Sequence, residues 1–231
     1  MNTIVDQAVI LRRIDFGEAD RIVTMLTSKN GKISVISKGA RRPKSKMAGG
    51  IELFTVNNIT YINGKNELKT LVSAHAVEHY DKITHDLATA NAAYEVLKFT
   101  HSYTEVVCED EYFTICVQAL RSLNNGQYTA VVLVWFGIQL MQISGHGLNL
   151  RSDTYGVTLE AGDTFSFDFS KMSFNIDPNG RFTAQHVKLL RLCGATSVDK
   201  LSQVQNVQQL AVDLQATVLE SVKYNSQSVL Q

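Results

Sequence analysis

The period of the apolar residues changes near residue 80, and that change limits what the chain can fold into. Before it, apolar side chains fall in short runs rich in β-branched residues: AVILRRIDF (Ala8–Phe16), RIVTMLT (Arg21–Thr27), KISVISK (Lys32–Lys38), IELFTVNNITYI (Ile51–Ile62) and LKTLVSAHAV (Leu68–Val77). Runs of this length and composition read as strands. Asn30–Gly31 and Asn63–Gly64 separate neighbouring runs. Such pairs favour tight hairpins because both residues tolerate positive φ. Five short strands with tight turns predict a small closed barrel, which leaves no free sheet edge. Five strands fit an OB-fold better than an eight-stranded barrel.

After the change, Leu87, Ala90, Tyr94, Leu97 and His101 recur at three and four, which is a helical stripe. Tyr112–Leu123, Tyr128–Ser144, Ala184–Leu192 and the stripe from Val207 to Val222 also read as helices. The longest apolar stretch, Ala130–Met141, is too short to cross a bilayer and reads as a buried helix. Between 145 and 181 the text differs: Phe165, Phe167 and Phe169 alternate with polar residues, and Asp177–Pro178–Asn179–Gly180 reads as a turn. The expectation is an α+β chain. Residues 1–80 are expected to form the OB-fold domain, and residues 81–231 a mainly helical domain with a small β-hairpin insert at about 146–182.

The chain is neutral overall, with 22 Lys+Arg against 22 Asp+Glu, but the charge is unevenly placed. Residues 1–50 hold ten Lys/Arg against four Asp/Glu, a net of +6, and the remainder carries the compensating −6. From Ile22 to Ile51 there is no carboxylate. Lys38, Arg41, Arg42, Lys44 and Lys46 fall within nine residues, in a stretch punctuated by Gly39, Pro43, Gly49 and Gly50. A local basic cluster on a neutral body fits a local polyanion, because each cation that meets a phosphate releases condensed counterions. The competing reading, a loop kept soluble by its charge, gives way because the carboxylate-free span lies on an expected OB barrel. Arg12 and Arg13 extend the candidate surface; Arg21 could join it or pair with Asp20 or Glu18.

Asp15 to Thr55, DFGEADRIVTMLTSKNGKISVISKGARRPKSKMAGGIELFT, resembles the DNA repair protein RecO family. The elements EADRIV, GKIS and KGARRPKS occur in order and at family-like spacing, and the similarity covers roughly the first eighty residues. The resemblance implies an N-terminal OB-fold, a helical C-terminal domain, and binding of single- and double-stranded DNA. It also implies annealing of complementary strands and, with RecR, assistance in loading the RecA recombinase onto DNA coated by single-strand binding protein, whose acidic C-terminal tail is a further partner. Such proteins are mediators rather than enzymes. Lys188 and Arg191 read first as solvated surface cations, with contact to that tail as the alternative. Many members carry four cysteines as a zinc module after the helix that ends here near Gly145. This chain has no cysteine between Cys116 and Cys193, so no metal or other cofactor is expected, and the Phe165/Phe167/Phe169 hairpin is expected to hold by packing.

Other constellations carry less. His75, Glu78 and His79 match the H-x-x-E-H pattern of a zinc hydrolase, but that chemistry needs a helix and this stretch ends a strand. Phe16, Phe54 and Tyr61 could stack bases, as OB-folds do, or fill the barrel. Cys108, Cys116 and Cys193 match no zinc or redox spacing, which suits buried thiols in a reducing cytoplasm, and Cys108 beside His101 is better read as packing than as a thiol–imidazole pair. No phosphate loop is present at Gly31–Lys32 or Gly64–Lys65, so ATP hydrolysis is not expected. Met1–Asn2–Thr3 lacks the basic start of a secretory leader, and Asp6 interrupts the early apolar run. An OB-fold RNA-binding or ribosome-associated factor remains the alternative to a DNA-binding protein.

Overall fold

The computed structural model describes residues 3–43, 45, 47–63, 68–105 and 109–228. Five strands, β1 (Thr3–Phe16), β2 (Asp20–Thr27), β3 (Lys32–Ser37), β4 (Thr55–Ile62) and β5 (Lys69–His79), close into a barrel in the order β1-β2-β3-β5-β4. β3 and β5 pair in parallel and the other pairs are antiparallel. This is the OB-fold. Its interior takes alternate residues of every strand, including Ala8, Ile10, Val23, Met25, Ile33, Val35, Ile59, Tyr61, Leu71 and Ala74.

The segment after β3 closes one mouth of the barrel. Ala40, Ile51, Met47 and Leu53 pack onto the barrel core, and Ala48–Ile51 form a 3₁₀ turn. Gly50 is required there: a Cβ would stand 2.2 Å from the carbonyl oxygen of Ala74 on β5. The turn therefore touches the barrel backbone directly.

Two helices, α1 (Leu87–Tyr103) and α2 (Asp110–Asn124), pack on β1 in the same compact unit, Met1–Asn124. Asp86 caps α1 by accepting from the backbone of Thr89 at 2.8 Å. Arg121 of α2 grips the Glu78 carboxylate of β5 with its fork, Nη2 at 2.7 and 2.9 Å. Tyr80 donates to the same carboxylate at 2.8 Å.

The second compact unit, Asn125–Gln231, is built on α3 (Thr129–Ile143). α3 is buried nearly all round, as its unbroken apolar run requires, by α4 (Ala184–Ala195) and α6 (Val207–Ser228) among others. Trp135 at its centre donates to the carbonyl of Thr196 at 2.9 Å; that residue lies between α4 and the short α5 (Val198–Leu201). The insert is the expected hairpin, β6 (Thr164–Asp168) with β7 (Ser173–Ile176), joined on its other edge by β8 (Phe182–Thr183). Phe165, Phe174 and Phe182 are buried, and Phe167 packs edge-on to Phe174 at 5.0 Å. Cys116 and Cys193 are buried free thiols, each with a pKa pushed up to about 12 by burial; Cys108 lies outside the described residues. Among the described residues no helix is long and apolar enough to cross a membrane.

Candidate nucleic-acid interface

A bulge in β1 decides which way its arginines point. The pairing with β2 shifts between Ile10 and Arg12, so Leu11 is the extra residue. Strict alternation from the inward Ile10 would send Arg12 into the barrel. The bulge instead sets Arg12 opposite Thr24, on the outer face. Ile14 opposite Ile22 and Phe16 opposite Asp20 follow on that face, and Thr24 and Ile22 continue it onto Ser34 and Ile36 of β3. Arg12, Ile14 and Phe16 are open to solvent, so β1 to β3 present a mixed apolar and cationic strip.

The bulge turns the alternate residues to the other side, over the barrel mouth. There Arg13 pairs with Glu52, and Arg21 reaches Asp15 at 2.9 Å and Glu52 at 3.8 Å. Arg41 reaches Asp15 at 3.4 Å. The Arg21 hydrogen bond, with Arg41 and Arg13 beside it, holds the Asp15 carboxyl below its ordinary value. Three guanidiniums thus share two carboxylates, which leaves the cluster cationic but partly self-neutralised.

Backbone hydrogen bonds hold the described residues of the basic loop. The Gly39 N–H donates to Asp20 Oδ1 at 2.7 Å, Arg41 N–H to the Ala19 carbonyl at 2.9 Å, and Ser45 N–H to the Arg42 carbonyl at 2.9 Å. Gly39 takes φ 65, which suits this turn. Lys38 and Arg42 are exposed, and among the described residues neither meets a carboxylate within 4.0 Å. The same holds for Arg12. Lys44 and Lys46 lie outside the described residues. Among the described residues Arg12, Lys38 and Arg42 therefore meet no carboxylate, whereas Arg13 and Arg41 are paired.

The remaining candidates separate clearly. Tyr61 fills the barrel, Phe54 is buried, and Phe16 alone of the three aromatics is open to solvent. His75, Glu78 and His79 lie on β5, where Glu78 is occupied by Arg121, so the helical geometry of a zinc hydrolase is absent. The β4 partners of the two histidines, Asn58 and Thr55, are three residues apart, which places the imidazoles on opposite faces. In the second unit Arg191 donates to the Leu150 carbonyl at 2.9 Å through Nε, whereas Lys188 stands exposed at a groove of about 420 Å³ walled by Leu189, Leu192, Val204 and Leu210. Asp15 and Glu52, the partners of these arginines, lie outside the carboxylate-free span, where the sequence pattern does not mark them. Lys98, which no sequence motif marks, lines the same groove as Arg12.

Residues 1–80 match the family described as "Recombination protein O N terminal". The chain is 30% identical over 209 residues to a "DNA repair protein RecO" of Listeria monocytogenes serotype 4b, covering 86% of this chain and 80% of that protein. It is 27% identical over 192 residues to the "DNA repair protein RecO" of Halalkalibacterium halodurans, covering 80% and 75%. With the protein of that name from a Roseiflexus species it shares 33% identity over 141 residues, covering 61% and 49%.

Proposed function

Because this chain belongs to the RecO family of DNA repair proteins, we propose that it is a DNA-binding recombination mediator without a covalent chemistry of its own. In this reading the barrel, within residues 1–80, holds single- and double-stranded DNA by its phosphates. The observation that supports the reading is that, among the described residues, Arg12, Lys38 and Arg42 on the outer strip and loop of an OB barrel meet no carboxylate. Phosphate contacts of this kind give affinity without sequence preference. Two strands neutralised on one protein repel each other less, which is a physical route to annealing. No step in that route consumes ATP.

The helical part, within residues 81–231, serves as a docking body for partners in a cytoplasmic repair assembly. RecR is one, and through it the protein assists loading of RecA. The acidic C-terminal tail of single-strand binding protein is another. Its carboxylates suit Lys188 and its apolar side chains suit the Leu189–Leu192–Leu210 groove.

The test is annealing of complementary oligonucleotides, bare and coated with single-strand binding protein, with no nucleotide cofactor present. Faster annealing than the uncatalysed reaction supports the reading. Absence of annealing across a range of salt, or annealing only with ATP, removes it. Tighter binding of an RNA of matched sequence would favour an RNA-binding factor instead.

A further inference from the structure

We infer that the groove between β1 and α1 seats one unpaired nucleotide of a single DNA strand, its base on Tyr94 and its flanking phosphates on Arg12 and Lys98. The inference rests on the DNA-binding reading above and extends it to α1. The groove encloses about 280 Å³, and its walls include Leu11, Arg12, Tyr94, Leu97, Lys98 and His101.

The ring is open yet firmly supported. Tyr94 is 52% exposed. Beneath it lies the buried Phe54, edge-on at 5.1 Å and 73°. Phe54 is held at φ 59, a conformation that bulky residues rarely adopt and that persists only where surrounding structure enforces it. Its carbonyl accepts from the Tyr80 N–H at 3.0 Å. A stiff aromatic platform with free surface is what base stacking uses, since every base offers a π-face.

The charge is placed to match. Arg12 has no carboxylate partner among the described residues. Among the described residues Lys98 meets one carboxylate, Glu95, three residues away on the same helix at 3.4 Å, a largely exposed pair of the weak kind, and its ammonium lies 5.6 Å from the centre of the Phe99 ring. His101 and Lys32 both contact Glu105 at 2.8 Å, so that acid is already engaged. The groove is also continuous with the outer strip: the β1 bulge puts Leu11 and Arg12, consecutive residues, on its wall, and Arg12 heads the row Arg12–Thr24–Ser34 across β1, β2 and β3. A strand running along this outer strip reaches Tyr94 by way of Arg12. The occupant is unpaired because bases within a duplex are stacked on one another and must be extruded to offer a face.

The test compares the full chain with Tyr94→Leu, Tyr94→Phe and Lys98→Ala, using a poly-dT oligonucleotide and a mixed-sequence duplex of equal length. Loss of stacking at one base should weaken single-strand affinity by roughly five- to hundredfold in Tyr94→Leu. That loss should exceed the loss on duplex at least fivefold, and Tyr94→Phe should recover most of it. Lys98→Ala, a change at an exposed side chain, should flatten the single-strand salt dependence by about 0.7. If Tyr94→Leu binds poly-dT like the parent, or loses single strand and duplex alike, the subsite is overturned and the DNA-binding reading stands. If the parent binds neither ligand, both fall together.

Discussion

If the barrel holds DNA as proposed, Asp15 and Glu52 compete with it for Arg13, Arg21 and Arg41. Each occupies guanidinium hydrogens that a phosphate would otherwise take. Replacing both, Asp15→Asn with Glu52→Gln, is expected to tighten DNA binding and to steepen its salt dependence. The change should be about 0.7 on single strands for each arginine released. The folded Asp15 carboxyl sits below its ordinary value, first because of Arg21. A lowered carboxyl stays ionised above its unfolded value, and its pairing is lost only as pH falls through the folded one. The masking by Asp15 should therefore be constant from about pH 6 to about pH 8, and the ratio of Asp15→Asn to parent affinity should not change over that range. These carboxylates could not be read from the sequence. Ile22 to Ile51 contains none, and the partners come from just outside it, through the Asp15–Arg21 register and the turn that carries Glu52. That register depends on a bulge at Leu11, which alternation alone does not reveal.

At the level of elements, the lid and the insert make opposite demands on side-chain volume. Gly50 lies so close to β5 that Gly50→Ala forces backbone apart, with an expected cost of about 1–3 kcal/mol in chemical denaturation. In the insert, Phe174 packs against Phe165, Phe167 and Phe182. Phe174→Ala should cost about 3–5 kcal/mol in the same measurement. A chelator is expected to leave the melting temperature unchanged, since Phe165, Phe174 and Phe182 pack together in the insert and, among the described residues, no group of His, Cys, Asp or Glu could hold a metal ion. The five barrel strands, the buried α3 and the β6–β7 hairpin were all legible, because each has enough residues to show a period. β8 was not, because two residues have no period; it exists because Phe182 must be buried against Phe174. The lid was legible only as a glycine-punctuated basic loop; its anchoring depends on Ala19, Asp20 and Ala74, which are distant in sequence.

For the whole molecule, the uneven charge and the motifs between Asp15 and Thr55 carried the family and the position of the candidate surface. The Lys188 groove was hidden because α4 supplies one wall and residues 204–210 the other. In the proposed reading Arg12, Lys38 and Arg42, which meet no carboxylate among the described residues, hold DNA through its phosphates. The most direct test of that reading is the salt dependence of affinity for two unrelated single-stranded oligonucleotides, measured for the parent and for the triple variant Arg12→Ala, Lys38→Ala, Arg42→Ala. With three phosphate-binding cations removed, the log–log slope should flatten by about 2 for both sequences alike. Stability should stay within about 0.5 kcal/mol, as for other exposed substitutions. An unchanged slope, or a loss confined to one sequence, would contradict the account.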